Sequence, residues 1–142
     1  MVETSPTLAE TVMSIRSIRS IVTGQTPISA AKTTTVVDAA RLMKQQNIGA
    51  LLVLDSSRLI GIFTERDVLN KLSGKDAVVA TTLVKDLMSA NPETLRETDS
   101  VATALNKMSM GRYRHIPVQR TDGSYSVTSI KHVLKYIAKA DW

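Results

Sequence analysis

Residues 26–43 read TPISAAKTTTVVDAARLM, and residues 91–108 read NPETLRETDSVATALNKM. The two stretches align without a gap when the sequence is shifted by 65 residues. Identity between the copies is low, but this offset brings identical residues together both within the two stretches and beyond them. Those pairs are Pro27 and Pro92, Thr33 and Thr98, Val36 and Val101, Ala39 and Ala104, Met43 and Met108, Val53 and Val118, Val68 and Val133, and Leu69 and Leu134. A fixed internal period indicates a duplicated structural unit.

Each copy contains an apolar pattern with the i, i+3, i+4, i+7 spacing of an amphipathic helix. The pattern consists of Val36, Ala39, Ala40 and Met43 in copy one and of Val101, Ala104, Leu105 and Met108 in copy two. Thr35 and Ser100 precede these helices, and their hydroxyls are predicted to be N-caps.

Two short strands and a second helix are predicted to follow in each copy. In copy one the strands are residues 50–54 and 59–63, the turn is 55–57 and the helix is 65–72. In copy two the strands are 115–118 and 124–128, the turn is 121–123 and the helix is 130–138. A strand is also predicted before the first helix, at Ile18 to Val22 in copy one and around Glu93 to Leu95 in copy two. Each copy then reads β-α-β-β-α, so the predicted fold class is α+β.

The repeat also predicts how the chain is divided. Residues 1–17 form an N-terminal extension, 18–74 the first repeat, 75–82 a linker and 83–139 the second repeat. A unit of roughly 60 residues can hardly bury both faces of its elements alone. We therefore expect the two repeats to share one core in a single module with pseudo-two-fold symmetry.

Composition restricts the possible functions. The chain has no cysteine, so disulfides and thiolate chemistry are excluded. Its net charge of +5 favours an anionic partner. No apolar stretch approaches the roughly 20 residues that a membrane helix needs. The N-terminus lacks the basic and apolar regions of a signal peptide, so a cytoplasmic protein without membrane association is expected.

Local motifs within this frame resemble the CBS domain family, whose tandem pairs are called Bateman modules. The motifs are Thr35-Val36 leading into Ala39 and Met43, the segment Arg114-His115-Ile116-Pro117-Val118, and Gly61-Ile62-Phe63-Thr64-Glu65-Arg66-Asp67. The last resembles the family's ribose-binding signature, a glycine and apolar residues followed by Thr-x-x-Asp. The resemblance covers about residues 12–139. It implies two CBS repeats that bind AMP, ATP, NADH or S-adenosylmethionine in clefts between the copies and regulate another protein.

Asp67 is the candidate ribose ligand, because one carboxylate can accept hydrogen bonds from both hydroxyls of the ribose. Thr64 is three residues earlier and is expected to reach the phosphate or the ribose. Thr-x-x-Asp at the start of a helix is also a common capping arrangement. The two roles are compatible, and both remain open at this point.

Phosphate needs cationic donors, and the candidates are Arg112, Arg114, His115 and Lys131. The first three correspond to Asn47, Gly49 and Ala50 in copy one, so this basic cluster belongs to copy two only. Adenine is expected against Pro92, Glu93 and Thr94, with an apolar wall formed by Ile62, Phe63, Ile116 and Pro117. The alternatives are a solvated basic edge for the cations and ordinary core for the apolar residues.

The second, symmetry-related cleft is expected to be incomplete. His132 replaces Asp67 and Ser126 replaces Gly61, although Ser129 keeps the hydroxyl of Thr64. One adenine nucleotide per chain is therefore expected, with no further cofactor and no metal site.

Several other functions remain as alternatives. No catalytic motif occurs in the sequence, so an enzyme is not expected. A nucleic-acid binder is disfavoured because the chain has only five aromatic residues, three Tyr, one Phe and one Trp. A structural dimerisation module without a ligand is the other alternative. A homodimer is expected through the module helices, with Val133, Leu134 and Ile137 as the contact face, and the regulated protein is unknown.

Overall fold

The computed structural model describes residues 16–26, 28–72 and 78–140. The described chain forms two compact units. We call residues 26–93 the central unit, and residues 16–25 together with 94–140 the terminal unit. Most of the predicted extension, Pro27 and residues 73–77 of the inter-repeat region lie outside the described residues.

The central unit is a four-stranded sheet with three helices. Its elements are β1 (Ser29–Ala31), α2 (Val36–Gln46), β2 (Ala50–Asp55), β3 (Arg58–Thr64), α3 (Glu65–Leu72), α4 (Val84–Leu87) and β4 (Ser89–Ala90). The strand order is β1-β2-β3-β4. β1 is parallel to β2, and the other two pairings are antiparallel. Its core includes Val36, Ala39, Leu51, Val53 and Phe63. Burying one large side chain of this kind contributes about 1.5–3 kcal/mol.

The terminal unit is a three-stranded sheet with three helices. Its elements are α1 (Arg19–Val22), β5 (Leu95–Arg96), α5 (Val101–Gly111), β6 (His115–Gln119), β7 (Tyr125–Ser129) and α6 (Ile130–Lys139). The strand order is β5-β6-β7, with β5 parallel to β6 and β6 antiparallel to β7. Its core includes Ile18, Leu95, Val101, Ile116 and Val133.

The register of the sheets follows the repeat. Ala30 pairs with Val53 in the central unit, and Leu95 pairs with Val118 in the terminal unit, 65 residues further along. The helix caps agree as well. The hydroxyl of Thr35 accepts from the amide of Asp38 at 3.3 Å, and that of Ser100 accepts from the amide of Thr103 at 3.0 Å. The predicted α+β class, the two repeats and both caps are confirmed.

The predicted first strand of copy one is wrong. Residues Arg19–Val22 are helical, and the strand that pairs with β2 is Ser29–Ala31. Ile18 and Val22 are buried on one side of this short helix, so their apolar character reflects i, i+4 packing and not strand alternation. In copy two the strand begins at Leu95, at the end of the predicted range.

The two copies exchange their leading segments. α1 lies at the start of copy one in sequence but packs in the terminal unit, and α4 lies at the start of the second repeat but packs in the central unit. Equivalent hydrogen bonds attach these segments to the first helices. The amide of Val36 donates to the carbonyl of Thr82 at 2.8 Å, and the amide of Val101 donates to that of Arg16 at 2.9 Å. Each unit is therefore built from both repeats. Within the described ranges, no helix has the length and apolarity to cross a membrane.

Candidate functional site

Asp67 lies in the first turn of α3, directly after β3, and only 5% of its surface is exposed. Its Oδ2 accepts from the backbone amide of Thr64 at 3.0 Å and from the Thr64 hydroxyl at 3.2 Å. The Thr64 hydroxyl accepts in return from the amide of Asp67 at 3.3 Å. This reciprocal pattern is a capping box, so the capping role weighed from the sequence is confirmed. It also holds the carboxylate in one orientation.

The other oxygen of the Asp67 carboxylate has two further partners. Oδ1 accepts from the Ser89 hydroxyl at 3.1 Å and lies 3.1 Å from the Lys71 ammonium. Lys71 also donates to the carbonyls of Leu87 at 2.7 Å and Met88 at 3.2 Å. We call Thr64, Asp67, Lys71 and Ser89 the Asp67 network. It joins α3 to the end of α4 and the start of β4.

Three of the predicted phosphate ligands converge at one end of the terminal sheet. His115 is the first residue of β6 and pairs with Ser129, the last residue of β7. The carbonyl of Arg114 accepts from the amide of Ile130 at 2.9 Å, and Lys131 is the next residue of α6. Arg114 and Lys131 are exposed, and His115 is half-buried. This end of the unit therefore combines three cationic or protonatable side chains with a helix start, where anions are favoured.

Arg112 is held at this end by its backbone conformation. It terminates α5 in the left-handed region, with φ 56° and ψ 38°. A non-glycine residue in that region is uncommon, and asparagine tolerates it better than arginine. Arg112 therefore occupies a position at which backbone preference alone favours glycine or asparagine.

The predicted apolar wall divides between the two faces of each sheet. Phe63 belongs to the core of the central unit and Ile116 to that of the terminal unit. The core interpretation holds for these two residues, so direct contact with a ligand would require repacking. Ile62 and Pro117 are neighbours of Phe63 and Ile116 along their strands, and both are buried. Because side chains alternate along a strand, they lie on the opposite faces and are the better candidates for a wall.

The predicted adenine segment follows β4. Pro92 and Thr94 are half-buried, whereas Glu93 is exposed. Asn91, immediately before this segment, adopts φ 49° and donates its amide to the carbonyl of Ile60 at 3.0 Å. The segment is thus anchored to β3 at its start, and it crosses from the central unit to the terminal unit between Glu93 and Thr94.

The residues of the second cleft have structural roles in the terminal unit. Ser129 is the N-cap of α6 and accepts from the amide of His132 at 3.2 Å. The buried Ser126 donates its hydroxyl to Oε1 of Gln25 at 2.6 Å. Partial burial, and in second place the charge of Lys135, lower the pKa of His132. A neutral imidazole at this position does not reproduce the carboxylate of Asp67.

Sequence reasoning missed Ser89 and Lys71. Lys71 is four residues after Asp67, and this spacing on a helix brings opposite charges together, so its contact could have been predicted. Ser89 comes from a distant segment whose exchange between the units had no local signal. No group of three or more metal-ligating side chains occurs in the described portions of the chain.

The predicted dimer face needs one correction. Val133 is fully buried in the core of the terminal unit and is not available for contact with another molecule. Leu134 is 57% exposed, and its equivalent Leu69 on α3 is 70% exposed. The two copies therefore expose one leucine each at matching positions of their second helices.

Comparison with known protein families identifies the class of this chain. The family model of the CBS domain matches residues 16–74 and 84–139, so the chain belongs to the CBS domain family. The match falls twice along the sequence, which makes the chain a pair of CBS domains.

Individual relatives agree with the family assignment. An uncharacterised 17.7 kDa protein of Acidianus ambivalens is 33% identical over 103 residues, which are 71% of this chain and 61% of that protein. A protein with CBS domains from Burkholderia ambifaria has 28% identity and a TM-score of 0.80, covering 89% of this chain and 97% of its own. A CBS domain protein of Pyrobaculum aerophilum complexed with AMP has 22% identity and a TM-score of 0.74, covering 87% of this chain and 99% of its own. The chain spans about three fifths of the Acidianus protein and smaller fractions of other curated relatives, for example 17% of an Arabidopsis thaliana protein.

Proposed function

We propose that this CBS pair is a regulatory module that binds one adenine nucleotide and catalyses no reaction. The observation that carries the proposal is the contrast between the two strand–helix junctions. At the first, a nearly buried carboxylate, Asp67, is oriented by Thr64. At the second, the same positions hold His132 and Ser129. Only the first junction has the acceptor that a ribose diol requires.

The proposed contacts follow the chemistry of the ligand. Asp67 accepts from the ribose hydroxyls, and Thr64 contacts the ribose or the nearest phosphate. Arg114, His115 and Lys131 bind the phosphate, with Arg112 as an additional cation. Pro92, Glu93 and Thr94 hold the adenine, with Ile62 and Pro117 as the apolar wall. Phe63 and Ile116 support that wall from within the cores.

AMP is the first ligand to test, because the similar protein of Pyrobaculum aerophilum is complexed with AMP. ATP, NADH and S-adenosylmethionine share the adenosine moiety and are the other members of the proposed class. In this proposal the nucleotide is a regulatory ligand and not a cofactor, and the regulated partner is a separate protein of the cytoplasm.

The test is a thermal-shift and calorimetric series on the purified protein with AMP, ATP, NADH and S-adenosylmethionine. A ligand at a hundredfold excess over its Kd stabilises the folded state by about 2.7 kcal/mol. For a protein of this size the unfolding temperature then rises by several degrees. Guanosine monophosphate is the matched control, because it retains ribose and phosphate. Failure of every adenine ligand to bind with a stoichiometry near one would overturn the proposal.

A structural dimerisation module is the second candidate function. The exposed leucines Leu69 and Leu134 favour it, since both lie on second helices and are separated by the repeat offset. Dimerisation is compatible with nucleotide binding, and we propose a homodimer in either case. A dimer that binds none of the four adenine ligands would select this candidate alone.

A further inference from the structure

The carboxylate of Asp67 has no unused acceptor position. Thr64 supplies two donors to Oδ2, and Ser89 and Lys71 supply one each to Oδ1. An ionised carboxylate offers about four lone-pair sites. A ribose diol can therefore bind Asp67 only by exchange with donors that already occupy it.

The two oxygens differ in how readily their donors can be replaced. The bonds to Thr64 form the capping box of α3, and losing them exposes the start of the helix. Lys71, by contrast, keeps its bonds to the carbonyls of Leu87 and Met88 if it leaves Oδ1. Ser89 is exposed, so water can replace its acceptor. Exchange is therefore expected at Oδ1.

From this geometry we propose that Ser89 and Lys71 are internal competitors of the ligand at Asp67, so that ligand binding releases β4. This inference rests on the proposed function, because it assumes that Asp67 accepts from the ribose. It adds a regulatory step: the ligand exchanges for the Ser89 hydroxyl, and the strand that carries Ser89 loses its bond to α3.

β4 is suited to such a release because it is short. It has two residues, and its pairs are Gly61 with Ala90 and Ile62 with Ser89. The Met88 side chain packs directly on Gly61 and occupies the space that a β-carbon at this position would need. The segment continues through Asn91 to the residues proposed to hold adenine. A change at Ser89 is therefore transmitted along only a few residues to the segment that crosses between units.

Amide hydrogen exchange of the protein without nucleotide tests the network directly. The amides of Met88 and Asn91, which donate to Val84 and Ile60, report on the segment. Ser89→Ala should accelerate exchange at Asn91 by about three- to tenfold, the effect of losing one ordinary hydrogen bond. Lys71→Met removes the contact with Asp67 together with the bonds to Leu87 and Met88, so it should accelerate exchange at Asn91 at least as much. Lys85→Met is the matched control, since Lys85 is exposed on the neighbouring α4. Exchange at the wild-type rate in Ser89→Ala would overturn the proposal.

The second arm uses AMP. Saturating AMP should accelerate exchange at Asn91 in the wild type, with little further change in Ser89→Ala. Ser89→Ala should also bind AMP about three- to tenfold more tightly, because a competing donor is gone. Weaker AMP binding by Ser89→Ala would identify Ser89 as a ligand contact and refute competition. Slower exchange at Asn91 with AMP would show that the ligand holds this segment in place, which also refutes its release. If AMP does not bind the wild type, the proposed function fails, and the comparison without nucleotide still decides whether the network restrains β4.

Discussion

Asn47 and Arg112 occupy equivalent positions and share one backbone conformation. Each ends the first helix of its repeat in the left-handed region, with φ 52° and ψ 51° for Asn47 and φ 56° and ψ 38° for Arg112. Asparagine suits this conformation better than arginine does. The two repeats thus share the turn but differ in charge at this position. The cation, Arg112, lies in the second repeat, close in sequence to Arg114 and His115.

The two strand–helix junctions should respond differently to mutation. Asp67→Ala removes a charge-assisted acceptor, which contributes roughly 1.5–3 kcal/mol, so affinity for AMP should fall about tenfold to a hundredfold. His132→Ala should change affinity little, because His132 cannot accept from the ribose as a carboxylate does. Isothermal titration calorimetry of both variants measures the contrast.

A capping control separates binding from folding in this experiment. Asp67→Ala also weakens the capping box, and loss of a cap costs about 1 kcal/mol of stability. Thr35→Ala removes the side-chain cap of α2 in the same unit and should lower stability without weakening AMP binding. Equal losses of affinity in Asp67→Ala and His132→Ala would contradict the asymmetry between the junctions.

A buried hydroxyl in β7 should be removable with a gain in stability. Thr128 is fully buried, and its Oγ1 has no hydrogen-bond partner among the described residues. Thr128→Val replaces the hydroxyl by a methyl group of similar shape. It should raise the free energy of unfolding by about 1 kcal/mol, since an unsatisfied buried polar group costs about 1–3 kcal/mol. Urea unfolding with an unchanged m-value measures the difference.

Ser126 provides the matched control on the same face of β7. Its hydroxyl is also buried but donates to Gln25 at 2.6 Å. Ser126→Ala should therefore lower the free energy of unfolding. Stabilisation by Ser126→Ala, or destabilisation by Thr128→Val, would show that an additional partner satisfies Thr128.

Lowering the pH should destabilise the folded terminal unit, because the carboxylate of Glu97 becomes protonated. Hydrogen bonds from the hydroxyl and amide of Thr121, both 2.7 Å long, hold the pKa of Glu97 below its ordinary value, and the charge of Arg19 acts in the same direction. The unfolded chain then takes up a proton more readily than the folded one. The stabilisation is complete above the unfolded pKa, about 4.3, and is lost as the pH falls through the lower folded pKa.

The measurement is urea unfolding of the wild type and Glu97→Gln between neutral pH and pH 3. The difference in stability between them should shrink on acidification. Thr121→Val is the control, because it removes the hydroxyl that donates to Glu97 and helps to lower the pKa of Glu97, so it should reduce the pH dependence of the wild type. A difference that stays constant over this range would contradict the role of the Glu97 carboxylate.

The exposed leucines should control the oligomeric state. Light scattering at micromolar concentration should give twice the chain mass of 15.5 kDa. Leu134→Asp and Leu69→Asp should shift the protein toward monomer, because each puts a charge into an apolar contact. Met110→Asp should leave the dimer intact, although Met110 is 79% exposed, because it lies on α5. A monomeric wild type would contradict the proposed dimer.

The repeat offset made much of the fold predictable. The bounds of α3, Glu65–Leu72, agree with the prediction, because polar caps and a preceding strand mark them in sequence. The first strand of copy one was missed because a short apolar run such as Ile18–Val22 does not distinguish helix from strand. Subtracting the offset from β5, Leu95–Arg96, gives residues 30 and 31, which lie in the observed strand.

The site was less predictable than the fold. Thr64 and Asp67 are close in sequence, so their capping contact could be weighed in advance. The position of Ser89 beside Asp67 depends on the exchange of α4 between units, and no local pattern encodes that exchange. Because side chains alternate along a strand, the sequence predicts that Phe63 and Ile62 lie on opposite faces of the sheet. Only the tertiary structure shows which of the two faces the core.

The exchange of leading segments also affects the order in which the protein is assembled. The ribosome makes residues 16–25 first, yet their packing partners in the terminal unit begin at Thr94. At about 5–20 residues per second, the 68 intervening residues, 26–93, take about 3–14 seconds to synthesise. The central unit is contiguous and can form once Glu93 has left the exit tunnel. Ile18 and Val22 are fully buried in the folded protein. During synthesis they remain exposed to water or chaperones until the second repeat has left the ribosome.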